Sequence, residues 1–384
     1  MITQVKVFKK SAPNGKLTAY LSRRDFVDNI THTAPVDGVV VVDNDYLHGR
    51  KVFLRLAVTY RYGREEDEVM GLHFSKEMEL VKWEVVPKAE DDQLTDTVTR
   101  LLQKLGNEAR PFSVKLPQNA PSSVTLEPGA EGTNKKLGVT YDLMFYVADN
   151  EELTHRRNSV NLAVRKIQYA PEKPNGRQPQ IIATRSFTLH PGKLKLEVYL
   201  ERDIYFHGQS LEPHVKVTNA SKKTVKYILA QVIQHVDITM TNTSLSRIVA
   251  SIESREGCPI TPDTNYSRSI VLTPLAFRAF GVALDGQIQD KDANLASSTM
   301  VTASNSIGDA LGIIVSYTLR VKLNCGALGG ELTTQLPFKL MHPQPSSSDS
   351  KPTLSKTQSV DDNLEIEEFN VLRRGQSVTD ELDD

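Results

Sequence analysis

Two features of this 384-residue chain could do ionic chemistry. Lys9 and Lys10 form a cationic pair directly after apolar Val7 and Phe8, and the last 41 residues, Gln344 to Asp384, hold ten acids against four bases. The preceding body keeps 42 bases and 37 acids, so the net charge of −1 divides into a mildly basic body and an acidic tail. Such a tail is either a solvated segment or a tethered ligand for a basic surface, since a tether raises effective concentration. Such a lysine pair ordinarily reads as solvated, though its position after Val7 and Phe8 disfavours that reading. Arg165 sits among apolar Leu162, Val164 and Ile167. Buried, its guanidinium would need carboxylate partners; otherwise it is a strand-edge arginine.

Catalytic motifs are missing. There is no phosphate loop, nucleophile elbow or metal-ligand spacing, and Gly326-Ala-Leu-Gly-Gly330 lacks the Lys and Ser/Thr of a nucleotide loop and reads as a turn. The nine histidines are scattered, with no Cys or carboxylate at ligand spacing. Cys258 and Cys325 are too few for a disulfide framework and read as buried thiols. The expectation is a protein that is not an enzyme and holds no metal or cofactor. A hydrolase assembled from distant residues is the remaining catalytic alternative. No apolar run approaches the ~18 residues of a spanning helix, and Met1-Ile2-Thr3-Gln4-Val5-Lys6 lacks a signal-peptide core, which predicts a cytoplasmic protein.

Strands must position these groups. Apolar residues alternate at Val52, Leu54, Leu56, Val58 and Tyr60, and at Val139, Tyr141, Leu143, Phe145 and Val147. They do so again at Leu194, Leu196, Val198 and Leu200, and at Leu319, Val321 and Leu323. Period-two runs punctuated by turn signals such as Pro13-Asn14-Gly15 predict an all-β fold of antiparallel sandwiches. One stretch, Leu94, Val98, Leu101, Leu102 and Leu105 with Gly106 behind it, has helical spacing and predicts a single amphipathic helix covering a sheet. Three prolines and a glycine between Ala170 and Pro179 mark a linker. The expected organisation is a sandwich over 1–169, a hinge over 170–180, a second sandwich over 181–343 and a flexible acidic tail over 344–384. Order is expected to return briefly in the tail, from Leu364 to Leu372.

Longer segments, in order, resemble the arrestin family over almost all of residues 5 to 343. They are Val7-Phe8-Lys9-Lys10, Arg24-Asp25-Phe26-Val27-Asp28, Tyr60-Arg61-Tyr62-Gly63-Arg64-Glu65, Asn158-Ser159-Val160 and Arg165-Lys166-Ile167-Gln168-Tyr169-Ala170-Pro171. Leu284-Asp285-Gly286, Asn294-Leu295-Ala296-Ser297-Ser298-Thr299, Leu311-Gly312-Ile313-Ile314-Val315-Ser316-Tyr317, Leu336-Pro337-Phe338 and Met341-His342-Pro343 complete the series. The resemblance implies two tandem immunoglobulin-like sandwiches. It implies a polar-core switch of Asp25, Arg165, Asp285, Asp292 and Arg374, and phosphate contacts at Lys9 and Lys10 helped by Lys6, Arg24 and Lys104. Phe369 and Leu372 would anchor the tail against Val7, Phe8, Leu101 and Leu105. Tyr62, Gly63, Arg64, Glu65, Glu66, Asp67, Glu68, Val69, Met70, Gly71 and Leu72 would form a receptor-entering finger loop.

The implied partner is an activated, phosphorylated G-protein-coupled receptor, rhodopsin-like, whose signalling the protein would desensitise after recruitment to the membrane by that receptor. The alternative is a trafficking adaptor of the wider arrestin clan. A clathrin adaptor at the Phe369-to-Leu372 segment and inositol phosphates are further partners the resemblance admits, and nucleic acid is not among them. The sequence departs from the family at several of these places. Gln287 and Gln289 stand where lysines are usual, and Leu229 and Ile233 stand at phosphoinositide positions of which only Arg247 remains basic. Leu364-Glu365-Ile366-Glu367 makes a poor clathrin box, and Gln376 replaces a basic residue at the end of the adaptor motif. These departures lean toward an invertebrate sensory member. Arg374-Gly-Gln-Ser377 also fits a basophilic kinase pattern, which leaves phosphorylation of Ser377 open.

Overall fold

The computed structural model describes residues 5–30, 32–63, 74–86, 94–117, 120–127, 137–150, 156–171, 177–187, 190–277, 279–286, 294–300, 312–327, 329–343 and 364–368. In chain order the first half supplies β1 (Val5–Ser11), β2 (Leu17–Leu21), β3 (Asp25–Asp28), β4 (Val36–Val42), the one-turn helix α1 (Asn44–Leu47), β5 (Lys51–Arg61) and β6 (Ser75–Val86). Helix α2 (Asp96–Leu105), β7 (Ala109–Val114), β8 (Val124–Leu126), β9 (Leu137–Ala148) and β10 (Ser159–Gln168) follow. The second half supplies β11 (Gln180–Phe187), β12 (His190–Tyr199), β13 (Ile204–Phe206), β14 (His214–Asn219), β15 (Tyr227–Ile238), β16 (Thr243–Ser254) and β17 (Thr264–Ser269). The last strands are β18 (Ala283–Asp285), β19 (Ile313–Asn324), β20 (Glu331–Met341) and, in the tail, β21 (Leu364–Glu368).

The alternation read in the sequence becomes burial. Every apolar residue of the four alternating runs is buried, each side chain contributing about 1.5–3 kcal/mol when fully withdrawn from water. The first sandwich has a sheet ordered β21-β1-β2-β4-β7 and a sheet ordered β18-β8-β9-β10-β3, with β5 and β6 continuing from β9. The second has sheets β11-β12-β14-β17 and β13-β20-β19-β15-β16. One continuous apolar core runs through both.

Pairing is mostly antiparallel, with three exceptions: β1 with β21, β3 with β10, and β13 with β20. Parallel neighbours cannot be joined by a hairpin, and all three pairs bring together segments far apart in the chain. The sheets also cross the boundaries drawn from chain order. Strand β18, from the second half, pairs antiparallel with β8 (Ala283↔Leu126 to Asp285↔Val124) and so completes a sheet of the first sandwich.

Helix α2 begins after its N-cap, Thr95, whose side chain accepts from the Val98 N–H, and ends at Gly106, whose N–H returns to the Leu102 carbonyl. Gly106 has a positive φ of 77°, a conformation side chains resist. Val98 and Leu101 are buried with Val7, Tyr20, Val39 and Ala109, and Leu102, Leu105 and the tail's Leu364 pack around them. Leu94, assigned by spacing to the apolar face, precedes the cap and is exposed. Helix α1 is too short for any periodicity to signal; the Asp43 side chain caps it by accepting from Asp45 and Tyr46 N–H.

Candidate functional site

The centre of the molecule is built on the parallel pairing of β3 with β10, whose register sets Arg165 opposite Asp25. Arg165 Nε donates to Asp25 Oδ1 at 2.7 Å and Nη2 to Oδ2 at 2.9 Å, the two-pronged geometry that a planar guanidinium makes with a carboxylate. Its third arm, Nη1, donates to the Gly286 carbonyl at 3.2 Å. Gly286 is seated against Ser123, to whose carbonyl its N–H donates at 3.1 Å, and a Cβ there would collide with the Ser123 side chain. The loan of β18 therefore carries Asp285 and Gly286 to Arg165. Burial raises the Tyr169 phenol pKa nearby; Asp25 and Asp285 add to the shift and Arg165 opposes it.

Asp285 is buried and held on both oxygens. Oδ1 accepts the Ser297 N–H at 3.1 Å, and Oδ2 is hydrogen-bonded to His342 Nε2 and lies 3.9 Å from His207 Nε2. One residue along β10, Lys166 forms a deeper pair. Its Nζ lies 2.9 Å from Asp28 Oδ2, with side chains only 5% and 9% exposed, and also donates to the Ala120 carbonyl at 2.5 Å.

The second charged region is the edge where β21 lies parallel on β1, from Val5↔Leu364 to Lys9↔Glu368. Lys6 Nζ is 3.4 Å from Glu367, with side chains 57% and 36% exposed. Lys9 Nζ is 3.1 Å from Glu368, at 32% and 64%. The hydrogen bond from Lys9 to Glu368, reinforced by the carboxylate's charge, raises the lysine's pKa.

Strand alternation divides the expected phosphate contacts between two faces. Val7 and Lys9 face α2, whereas Phe8 and Lys10 turn inward; Phe8 packs on the main core with Arg24 4.4 Å over its ring, and Lys10 Nζ donates to the Asn161 carbonyl at 2.5 Å. One expectation is corrected here: Phe8 packs on the main core and not in the cluster of Val7, Leu101 and Leu105. Lys104 is exposed on α2, whose buried residues share their cluster with Val7.

Compared with known proteins, residues 17–170 match the family model for the arrestin (or S-antigen) N-terminal domain and residues 190–345 that for the C-terminal domain. The chain belongs to the arrestin family. It is 49% identical over 393 residues to an arrestin homolog of Locusta migratoria, covering 97% of each chain. It is 48% identical to phosrestin-1 of Calliphora vicina, covering 97% of this chain and 98% of that one. It is also 49% identical over 348 residues to the lateral-eye arrestin of Limulus polyphemus, covering 90% and 86%.

In this arrestin, Asp25 and Arg165 of the expected polar core are paired and Asp285 adjoins Gly286, whose carbonyl Arg165 reaches, while Asp292 and Arg374 lie outside the described residues. Outside them too are Phe369, Leu372, Ser377 and the finger-loop residues Arg64, Glu65, Glu66, Asp67, Glu68, Val69, Met70, Gly71 and Leu72. The loop's base is described: the Tyr62 N–H donates to the Phe74 carbonyl at 2.9 Å, and their rings meet edge-on at 6.2 Å. Sequence reasoning missed Lys166 with Asp28, and His207 with His342. Asp28 and Lys166 were on view only as parts of longer segments, and no spacing signals a histidine whose partner follows a distant strand. Among the described residues no helix is long and apolar enough to cross a membrane.

Proposed function

We propose that this arrestin binds an activated, phosphorylated G-protein-coupled receptor of a light-sensing kind, blocks its coupling to G protein, and releases its tail strand when receptor phosphates arrive. The observation that carries the reading is β21 lying on β1 through ion pairs that stand in solvent. A phosphate brings about −1.5 to −2 charges and three acceptor oxygens, more than the single carboxylate each lysine now meets. Lys6 and Lys9 would receive phosphates on opposite faces of β1, so more than one phosphate is needed to lift the strand. The similarity to a lateral-eye arrestin and to the phosrestins supports a light-sensing client. Recruitment to the membrane would follow from the receptor.

The test is a pull-down on rhodopsin and on a non-visual receptor, each with and without phosphorylation. The expected result is strong preference for active phosphorylated rhodopsin, largely lost in Arg165→Glu, where a carboxylate replaces the partner of Asp25. Truncation before Leu364 should loosen the phosphate requirement in the same way. If both variants keep the full preference, the switch reading is wrong; equal capture of all four receptor samples would sink the receptor reading itself.

A further inference from the structure

The receptor reading makes no use of a cluster on the other side of Asp285. His207 directly follows β13 and His342 directly follows β20, and these strands pair in parallel up to Phe206↔Met341, which leaves the two imidazoles side by side at 4.5 Å between ring centroids. Asp285 reaches them as the last residue of β18. One ligand atom from each of the three residues lies within 4.8 Å of the other two. We propose that His207, Asp285 and His342 form a binding site for a divalent ion of the zinc type, joining the strand lent to the first sandwich to the strand ends of the second.

The donor set fits the ion. Two imidazoles and one carboxylate suit a borderline transition ion better than magnesium or calcium, which take oxygen ligands. Zinc bound at about 2.0–2.2 Å holds tetrahedral ligand atoms roughly 3.3 Å apart. His207 Nε2 and Asp285 Oδ2, at 3.9 Å, are near that spacing. His342 and Asp285 are closer because a hydrogen bond joins them, and they would part slightly as the ion takes its place, with the imidazole proton carried on Nδ1 so that Nε2 is free to ligate.

The surroundings fit as well. The three side chains are 8%, 9% and 15% exposed, so the ligands are largely screened from water. Ser297 holds Asp285 through its N–H on Oδ1 at 3.1 Å, and its hydroxyl, 3.0 Å from His207 Nε2, would yield that contact to the ion; the hydroxyl or a water can take the fourth position. Asp285 offsets one of the ion's charges. Arg165, which reaches the carbonyl of the adjoining Gly286, is already engaged by Asp25.

The experiment uses the full chain, stripped with a chelator, equilibrated with Zn2+ and desalted before metal analysis. One ion per chain should be retained, and His207→Gln and His342→Gln should each weaken binding roughly tenfold or more. Retention of no ion, or unchanged retention in both folded variants, would overturn the site in favour of a simple histidine–carboxylate hydrogen bond or of ions held elsewhere, such as at His214 and Glu201. Cobalt loading of the unmutated chain decides the matter even if the variants do not fold. A tetrahedral visible spectrum at one equivalent supports the site, and an octahedral spectrum or none at all rejects it.

Discussion

Two parallel strand pairings each carry two ion pairs, and they differ in depth. At β3 with β10, Lys166 meets Asp28 almost out of reach of water and Arg165 meets a part-exposed Asp25. At β1 with β21, Lys6 and Lys9 meet Glu367 and Glu368 in the open. Exposed pairs are worth about 0–1 kcal/mol, because solvent screens them and long side chains must be ordered. Breaking a buried pair by removing one partner costs about 3–5 kcal/mol, because a charge is left stranded. The same residue types therefore make a joint that is costly to open in one place and an easily detached clasp in the other. Packing of Leu364 beside Val7 and α2 adds to the clasp without burying its charges.

The sharpest way to break this contrast is Lys166→Ala. It strands Asp28 and should cost about 3–5 kcal/mol in chemical denaturation, while Lys166→Met combined with Asp28→Asn should recover much of the loss; a cost under about 1 kcal/mol would erase the distinction between the regions. Arg165→Ala should cost less, about 1.5–3 kcal/mol, the usual worth of hydrogen bonds to a charged group, because Asp25 is part-exposed and water can take over. Lys9→Ala should stay within about 1 kcal/mol of the parent in global unfolding, yet amide exchange over Leu364–Glu368 should speed up, more so in molar salt where the screening length falls to about 3 Å.

The smallest effect is a pH dependence. The raised pKa of Lys9 means that its contact with Glu368 contributes fully below the ordinary lysine value near 10.5 and fades as pH rises through the raised folded value. The tail strand should therefore loosen in alkali. Lys9→Arg, which stays charged, should not show this, and identical exchange profiles in the two proteins would remove Lys9 from the clasp.

Much of the fold was legible because half-buried strands write their faces into the sequence, as Val52 to Tyr60 do. The same alternation, applied to four residues of β1, already separates Val7 and Lys9 from Phe8 and Lys10. Helix α2 was legible from its spacing, and its start was one cap further on than Leu94 suggested. The pairing of Arg165 with Asp25 was reached through family resemblance, since nothing local to either residue names the other. Lys166 with Asp28 escaped because a lysine beside an arginine looks like one more solvated base. His207 and His342 escaped because their proximity depends on parallel β13 and β20, a pairing with no hairpin to announce it. The return of order near Leu364 was visible as apolar residues among acids, but its place on β1 was not.

The antiparallel loan of β18 to β8 has a consequence for how the chain is made. During synthesis the first ten strands leave the ribosome before Ala283–Asp285 exists, so β8 must wait with one edge uncovered and Arg165 must wait for the Gly286 carbonyl. An open strand edge invites pairing with other chains. A nascent first half is therefore stickier than the finished protein, and a fragment ending at Ala170 should keep that stickiness for life.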